Sequence, residues 1–187
     1  MPPYLTLRFP QYPQWTAVVA KFTSVPSSVL EQATQRVFAG ETTLGVLNTT
    51  LLVSTRQLEY AIYKTVQNEE FGTRKAKTLA TEIFANLSPD KNIGEALRRF
   101  GLNTDCDQVV TVALVREGDS VDDQYQKMAE LLGGLQPVEI VESEWWSHAD
   151  MKKVRKVYKL NDAVGLDYDD QKKVTDLVIG ACIMRTA

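Results

Sequence analysis

The sequence predicts a single α/β domain over residues 1–187, in which a mixed β-sheet packs against α-helices. Three observations favour this fold class. Segments rich in β-formers alternate with segments whose apolar residues recur at helical spacing. No repeat, low-complexity tract or long linker divides the 187 residues, a length that suits one domain with a sizeable core. Residues 108–115 are almost entirely apolar, which is typical of a central strand buried on both faces.

The first forty residues predict two strands and a helix. Residues 4–9 alternate between apolar and polar side chains, and residues 15–22 are rich in β-formers, so we expect two strands joined by a proline-containing turn. A helix is predicted next, because Ser28 and Glu31 have the spacing of a capping box and Gly40 supplies a stop. Its expected apolar face consists of Val29, Leu30, Ala33, Val37 and Phe38.

A short strand and a long helix are predicted in the middle of the chain. Residues 44–47 favour the strand, and Ser54 with Gln57 has capping-box spacing at the start of the helix. Residues 82–87 are compatible with a strand or with the end of a helix. We favour a strand, because Ser88 and Pro89 end the segment and a well-marked helix follows. The buried face of the long helix is expected to hold Leu58, Ala61, Ile62 and Val66.

The helix after Pro89 has the strongest local signals. Asn92 and Glu95 resemble a capping box, and Gly101 suits a left-handed C-terminal stop. Its apolar positions are Ile93, Ala96, Leu97 and Phe100, at spacings of three and four residues.

After the central strand at 108–115, the pattern predicts one more strand and three helices. A helix is expected after Ser120, with Gly133 and Gly134 ending it, and residues 138–142 alternate like an edge strand. The apolar positions of the helix after Ser120 are Val121, Tyr125, Met128 and Leu132. The next helix carries Met151, Val154, Val157 and Tyr158, and the last runs from about Asp169 to Met184 within a C-terminal segment, 168–187, that we expect to contribute to partner binding.

Charge is unevenly distributed along a chain whose net charge is −3. Residues 103–150 are strongly acidic, whereas residues 71–101 and 151–160 are net basic. This excludes a globally basic nucleic-acid-binding protein but not a local basic face, and the alternative that each charged run is a solvated surface stays open. No stretch approaches the ~20 apolar residues that span a bilayer, and Cys106 and Cys182 lack metal-ligand spacing, so we expect a soluble intracellular protein.

Motifs for catalysis and for cofactor binding are missing from the sequence. It contains no phosphate-binding loop and no dinucleotide fingerprint, and the single histidine, His148, has no neighbouring cysteine or second histidine. We therefore expect no catalytic residue, no metal and no cofactor. An enzyme remains the third alternative, and it would require a deep pocket with convergent polar groups.

One basic region has the chemistry of an RNA-binding surface. Cations cluster around the predicted start of the helix at Ile93, where free backbone amides favour phosphate. Tyr60, Tyr63 and Phe71 lie nearby in sequence and are suited to stack an unpaired base. The candidate RNA-binding residues are Lys64, Arg74, Lys75, Lys77, Lys91, Asn92 and Arg98, with Arg99 beside them.

Several motifs, in a fixed order, resemble a known family. Arg56-Gln57-Leu58 and residues 61–65 match its helical segment, and Val157-Tyr158-Lys159-Leu160 resembles a later signature. Residues 77–101 carry its central pattern of Thr-Leu, Thr-Glu-Ile, Leu-Ser-Pro, Asn-Ile, Glu-Ala-Leu and Phe-Gly. The sequence thereby resembles the TPRKB/CGI family, the small kinase-binding subunit of the EKC/KEOPS complex, which makes threonylcarbamoyl-adenosine in tRNA. The segment around Trp145 and Trp146 has no counterpart that we can assign.

The resemblance implies a non-catalytic subunit that binds the atypical kinase/ATPase subunit directly and the remaining EKC/KEOPS subunits indirectly. It also implies binding to the single-stranded 3′ end of tRNA, and a location in nucleus and cytoplasm if the source is eukaryotic. A role at telomeres is left open. The alternative is an interaction scaffold that binds no RNA. The kinase-binding candidates are Val174, Leu177, Val178, Ile179, Cys182, Ile183 and Met184, of which about half are expected to be core, because interface and core share the same periodicity.

Overall fold

The computed structural model describes residues 3–185, which form four strands, eight α-helices and one 3-10 turn. The strands are β1 Leu5–Arg8, β2 Trp15–Phe22, β3 Gly45–Asn48 and β4 Val109–Arg116. The helices are α1 Ser27–Phe38, α2 Thr55–Glu70, α3 Leu79–Leu87, α4 Ile93–Phe100, α5 Val121–Leu131, α6 Glu142–His148, α7 Met151–Val157 and α8 Gln171–Met184, with the 3-10 turn at Leu160–Asp162. The predicted α/β class is confirmed. The ends of the predicted domain, and residues 186 and 187 of the predicted C-terminal segment, lie outside the described residues.

The four strands form one sheet in the order β1-β2-β4-β3. Every neighbouring pair is antiparallel, so the expectation of a mixed sheet was wrong. A continuous apolar run is more typical of strands in parallel sheets, but any strand buried on both faces can have one, and in this sheet burial is the reason for it. The long pairing of β2 with β4 places β4 inside the sheet, as the apolar run at 108–115 predicts.

The sheet separates two apolar clusters. On one face, Leu30 of α1 and Met128 of α5 pack against Val18, Phe22 and other side chains of β2 and β4. The opposite face is covered by α2, α3, α7 and α8, and its buried residues include Leu58, Ile62, Ile83, Val154 and Val178. Because β4 supplies residues to both clusters, it is buried on both faces.

Residues 82–87 belong to helix α3, and the predicted strand was wrong. The Thr78 side chain accepts a hydrogen bond from the Thr81 amide at 3.1 Å and starts the helix at Leu79. All side chains from Glu82 to Leu87 are buried, because α3 lies between α2, α4 and the sheet. A helix buried on every side has the same continuous apolar pattern as a buried strand, so length and periodicity did not distinguish them.

Residues 138–142 do not form the predicted edge strand. Only Val138 pairs with the sheet, through a hydrogen bond from its amide to the Lys21 carbonyl at 2.8 Å. The chain then enters α6, where Glu144 Oε2 lies 2.7 Å from the buried Lys21 ammonium. Trp145 is also buried, and its indole donates a hydrogen bond to Thr55 Oγ1 at 2.8 Å. The segment around Trp145 is therefore a structural helix that closes one end of the core.

Helix boundaries agree with most of the predicted caps. Ser54 accepts from the Gln57 amide and Asn92 from the Glu95 amide, each at 3.1 Å. The predicted Ser28 cap was wrong, because α1 already begins after Pro26 and has no side-chain cap.

Two predicted core side chains are on the surface. Phe38 is 87% exposed and Leu97 41% exposed.

Gly101 is required for a reason other than the predicted one. It has φ −69°, so the predicted left-handed stop was wrong. A Cβ at this position would lie 2.5 Å from the Leu97 carbonyl oxygen, so close backbone approach is what requires glycine.

Candidate nucleic-acid interface

A cleft of about 230 Å³ opens beside the C-terminal half of α2, the loop before α3 and the start of α4. We call it the basic cleft. It brings together three of the sequence-predicted RNA-binding residues, Lys64, Lys75 and Lys91. Its other lining residues are Asn68, Thr73, Glu82, Ala85, Ile93 and Arg185.

The three lysines of the basic cleft are available to an anion. Lys75 and Lys91 are exposed, and Lys64 is half-buried with its ammonium 2.8 Å from the neutral Gln67 side chain. None of the three forms an ion pair with a carboxylate among residues 3–185. Because the lysines come from α2, from the following loop and from the start of α4, their positive charge converges on one volume only in the folded chain.

Glu82 is the buried carboxylate that organises the loop of the basic cleft. It accepts hydrogen bonds from Asn68 Nδ2 at 2.8 Å, from the Ala76 amide at 2.8 Å and from the Lys75 amide at 3.1 Å. Buried carboxylates are retained where donors of this kind surround them. Glu82 therefore holds the backbone of Lys75 in place, and with it the position from which the Lys75 side chain enters the cleft.

Arg74 contributes to this loop rather than to the lining of the cleft. Its guanidinium forms an ion pair with Glu69 at 2.7 Å and donates to the carbonyls of Ala76 and Lys77 at 3.2 and 2.5 Å. Lys77 is exposed but also lies outside the lining residues. The structure thus separates these two predicted RNA-binding residues from the three lysines.

Asn92 and Arg98 are occupied within α4. The Asn92 side chain caps the helix, and Arg98 lies 2.7 Å from Glu95 one turn earlier. The hydrogen bond from Arg98 lowers the pKa of the Glu95 carboxyl group. Arg99 pairs with Asp90 at 2.5 Å, so neither arginine lines the basic cleft.

The three aromatic residues predicted to stack a base are divided. Tyr63 packs inside an aromatic group, with ring centroids 6.3 Å from Phe9 and 6.0 Å from Tyr12. Tyr60 is half-buried, and this burial raises the pKa of its phenol. Only Phe71 presents most of its ring to solvent.

Arg185 is the residue of the basic cleft that sequence reasoning missed. It follows α8, about a hundred positions after the other cations, and donates to the Ala85 carbonyl and to Asn86 Oδ1. The hydrogen bond to Asn86 is 3.1 Å long. Nothing in its local sequence connects it to α3, so only the packing of α8 against α3 could reveal it.

Helix α8 divides the predicted kinase-binding residues into two sets. Val174, Val178 and Cys182 are buried against the core at intervals of four residues. Leu177, Ile183 and Met184 are 40%, 49% and 71% exposed, and Ile179 is half-buried. Leu177 also borders a shallow groove that contains Val164, an exposed apolar residue of the preceding loop.

Neither Cys182 nor His148 belongs to a catalytic arrangement among the described residues. Cys182 donates to the Leu87 carbonyl at 3.3 Å, and burial raises the pKa of its thiol to about 12. His148 is exposed, with Nδ1 2.8 Å from the Glu144 carbonyl. In the part of the chain that the structure describes, no group of three or more His, Cys, Asp or Glu residues is arranged to hold a metal. Within the same residues, no helix is long and apolar enough to span a bilayer.

Comparison with known proteins identifies similar chains. A family model described as "Kinase binding protein CGI-121" matches residues 22–186. The "EKC/KEOPS complex subunit CGI121" of Debaryomyces hansenii is 36% identical over 97% of this chain and 98% of its own length. The protein of the same description from Yarrowia lipolytica is 31% identical over 96% and 98%. The "EKC/KEOPS complex subunit TPRKB" of Danio rerio is 26% identical over 84% of this chain and 86% of its own length.

Proposed function

Because this chain belongs to the CGI-121 family of kinase-binding proteins, we propose that it is a non-catalytic subunit of an EKC/KEOPS complex that binds tRNA through the basic cleft. The kinase is its direct protein partner, and the remaining subunits of the complex are indirect partners. The reaction in which it takes part is the formation of threonylcarbamoyl-adenosine in tRNA. Its location in nucleus and cytoplasm belongs to the same proposal, and any role at telomeres stays an open part of it.

The observation that carries the RNA-binding proposal is the convergence of Lys64, Lys75 and Lys91 on one cleft. Three ammonium groups that have no carboxylate partner among residues 3–185 provide a local positive potential on a chain whose net charge is −3. RNA backbone supplies phosphates at short, regular intervals, and a single strand is flexible enough to bring several of them into one cleft. The 3′ end of tRNA is a single strand of this kind.

Kinase binding is best supported at the exposed side of α8. Leu177 and Met184 lie one heptad apart on this side, and Val164 extends the apolar surface. Apolar side chains at such spacing are suited to pack into a groove or against a helix of a partner. This surface excludes Val174, Val178 and Cys182, which the fold itself buries.

Fluorescence anisotropy with two labelled tRNAs tests the RNA-binding proposal. One tRNA is intact, and the other lacks its single-stranded 3′ tail but keeps its folded body. We expect the intact tRNA to bind at least tenfold more tightly in 0.1 M salt, because a cleft of about 230 Å³ can accept phosphates of a flexible single strand but is far too small for a duplex. Equal and weak binding of both tRNAs would favour the interaction scaffold that does not bind RNA.

A further inference from the structure

Among the described residues, the second half of strand β4, Ala113–Arg116, has a neighbouring strand on only one of its two edges. On that side, β3 pairs only with the first half of β4, from Gly45 opposite Val112 to Asn48 opposite Val109. On the other side, β2 pairs with β4 over its whole length. Among residues 3–185, no strand therefore lies beside Ala113–Arg116 at the β3 edge.

The register of β2 and β4 identifies the backbone groups that face this open edge. The Glu117 amide donates to the Gln14 carbonyl at 2.8 Å, which continues the ladder by one residue pair. Because hydrogen-bonded pairs alternate along an antiparallel ladder, Val115 and Ala113 also bond to β2. Leu114 and the next alternate residue, Arg116, then direct their backbone groups away from β2.

Three of these backbone groups have no partner among the described residues. They are the amide and the carbonyl of Leu114 and the amide of Arg116. The Arg116 carbonyl is already used, because it accepts a hydrogen bond from Asp119 at 3.0 Å. Unpaired groups on a strand that is otherwise fully paired form a template for another extended chain.

A slot of about 290 Å³ lies directly at this edge. Leu79, Ala80 and Ile83 of α3 line one wall, whereas Thr42 and Gln124 line the other, with further lining from Gly40, Thr43, Gly45, Thr78, Val112, Ala113 and Leu114. Most of the lining surface is apolar.

The slot occupies the position that an upstream extension of β3 would take. The chain leaves this position because the Thr42 hydroxyl accepts a hydrogen bond from the Leu44 amide at 3.1 Å, and Leu44 turns into the core. The slot is therefore bounded by α3 on one face of the sheet and by α5 on the other, and it lies in line with β3.

We propose that this slot binds an extended segment of a partner polypeptide, which adds a strand beside Leu114 and Arg116 of β4. An extended backbone presents amides and carbonyls in alternation, and this is the pattern that the three unpaired groups require. The segment residue opposite Leu114 faces Leu79 and Ile83 and is apolar. Its two neighbours face Thr42 and Gln124 and are polar. The site is separate from the basic cleft and from the exposed side of α8, and it does not depend on the proposed function.

Amide hydrogen exchange of the full-length protein tests the geometry of the free edge. We expect the amides of Leu114 and Arg116 to exchange at least tenfold faster than those of Ala113 and Val115, because only the latter two bond to β2. Equal protection of all four amides would show that the edge is already paired, and the proposal would be overturned.

Selection from random octapeptides displayed on phage tests binding. We expect wild-type protein to enrich peptides with alternating apolar and polar residues. A synthetic copy of the enriched peptide should protect the Leu114 amide. Replacing Ala80 by Arg fills the slot from the α3 wall, and Thr43→Arg fills it from the segment that precedes β3, so at least one folded variant, verified by circular dichroism, should bind the peptide at least tenfold more weakly.

N-methylation of the same peptide distinguishes an added strand from other modes of binding. Methyl groups on alternate amides should weaken binding at least tenfold, whereas those on the intervening amides should be tolerated. Failure to enrich any peptide, loss that does not alternate, or binding unchanged in both filled-slot variants would overturn the proposal. A concentration-dependent dimer that the filled-slot variants abolish would show that a second copy of this chain occupies the edge, and would also overturn it.

Discussion

Neutralising the lysines of the basic cleft provides the most direct test of how this surface works. The variant replaces Lys64, Lys75 and Lys91 by Gln, which removes three charges and keeps the approximate size of each side chain. None of the three has a carboxylate partner among the described residues, so the substitutions break no ion pair there. Exposed substitutions away from special features usually change the free energy of unfolding by at most ~0.5 kcal/mol each, and this applies to Lys75 and Lys91. Lys64 is half-buried and loses one hydrogen bond to the neutral Gln67 side chain, which costs about 1 kcal/mol, so the fold should persist.

The expected loss of affinity follows from counterion release. Each phosphate contact to a single strand contributes a slope of about −0.7 to the plot of log binding constant against log salt concentration. Three lost contacts should flatten that slope by about 2. If wild type and variant converge near 1 M salt, the variant should bind tRNA about 100-fold more weakly at 0.1 M.

A variant with the same change in net charge supplies the control. Lys127, Lys152 and Lys172 are exposed residues outside the lining of the basic cleft, and they are replaced by Gln in the control. Anisotropy titrations with intact tRNA at four salt concentrations should give a near wild-type slope for this control. An equal flattening in both variants would show that the general field of the protein attracts RNA. No flattening in either variant would show that the cleft is merely solvated.

Three other predictions test the packing and the remaining surface. Leu177→Asp should abolish co-elution with the kinase on gel filtration while the protein stays folded, whereas Val178→Asp should unfold it, because a buried unpaired charge costs about 4 kcal/mol or more. Gly101→Ala should lower the free energy of unfolding in urea by about 1–3 kcal/mol, because its Cβ would meet a carbonyl oxygen at 2.5 Å, whereas Gly180→Ala should raise it by about 0.5–1 kcal/mol. Cys182→Ala should reduce the fall in the free energy of unfolding that accompanies a rise in pH from 8 to 10.5.

The sign of the pH prediction follows from linkage. The thiol of unfolded Cys182 ionises near pH 8.5, whereas burial in the folded protein raises its pKa to about 12. The folded state therefore holds its proton over this interval and the unfolded state does not, so stability is complete below about pH 8.5 and declines as the pH rises towards 12. Tyr158, whose pKa burial also raises, adds to the decline in both proteins. If the free energy of unfolding had the same pH profile in wild type and in the variant, the raised pKa of the Cys182 thiol would be contradicted.

The outcomes that would contradict the other two predictions are equally specific. Retained co-elution of a folded Leu177→Asp variant would remove the exposed side of α8 from the kinase interface. If Gly101→Ala had the same free energy of unfolding as wild type, the last turn of α4 would be free enough to move the Leu97 carbonyl away from the new Cβ.

The sequence alone determined the features that depend on neighbouring residues. Strand β2 and helix α4 lie where β-former content, helical periodicity and capping spacing predict them, and Gly40 and Gly133 end their helices at positive φ. These features could be predicted because each depends on residues within one or two turns of the chain. Motif order over most of the chain also indicated the family.

The tertiary structure decided every feature for which distant residues must meet. Continuous burial made α3 resemble a strand, and the direction of the strands left no trace in their composition. Arg185 reached the basic cleft only because α8 packs against α3, while Lys77 and Arg98, which are close to the cleft in sequence, lie outside its lining. Periodicity likewise could not separate Leu177 from Val178, since it reports that a helix has an apolar side but not whether the fold or a partner covers that side.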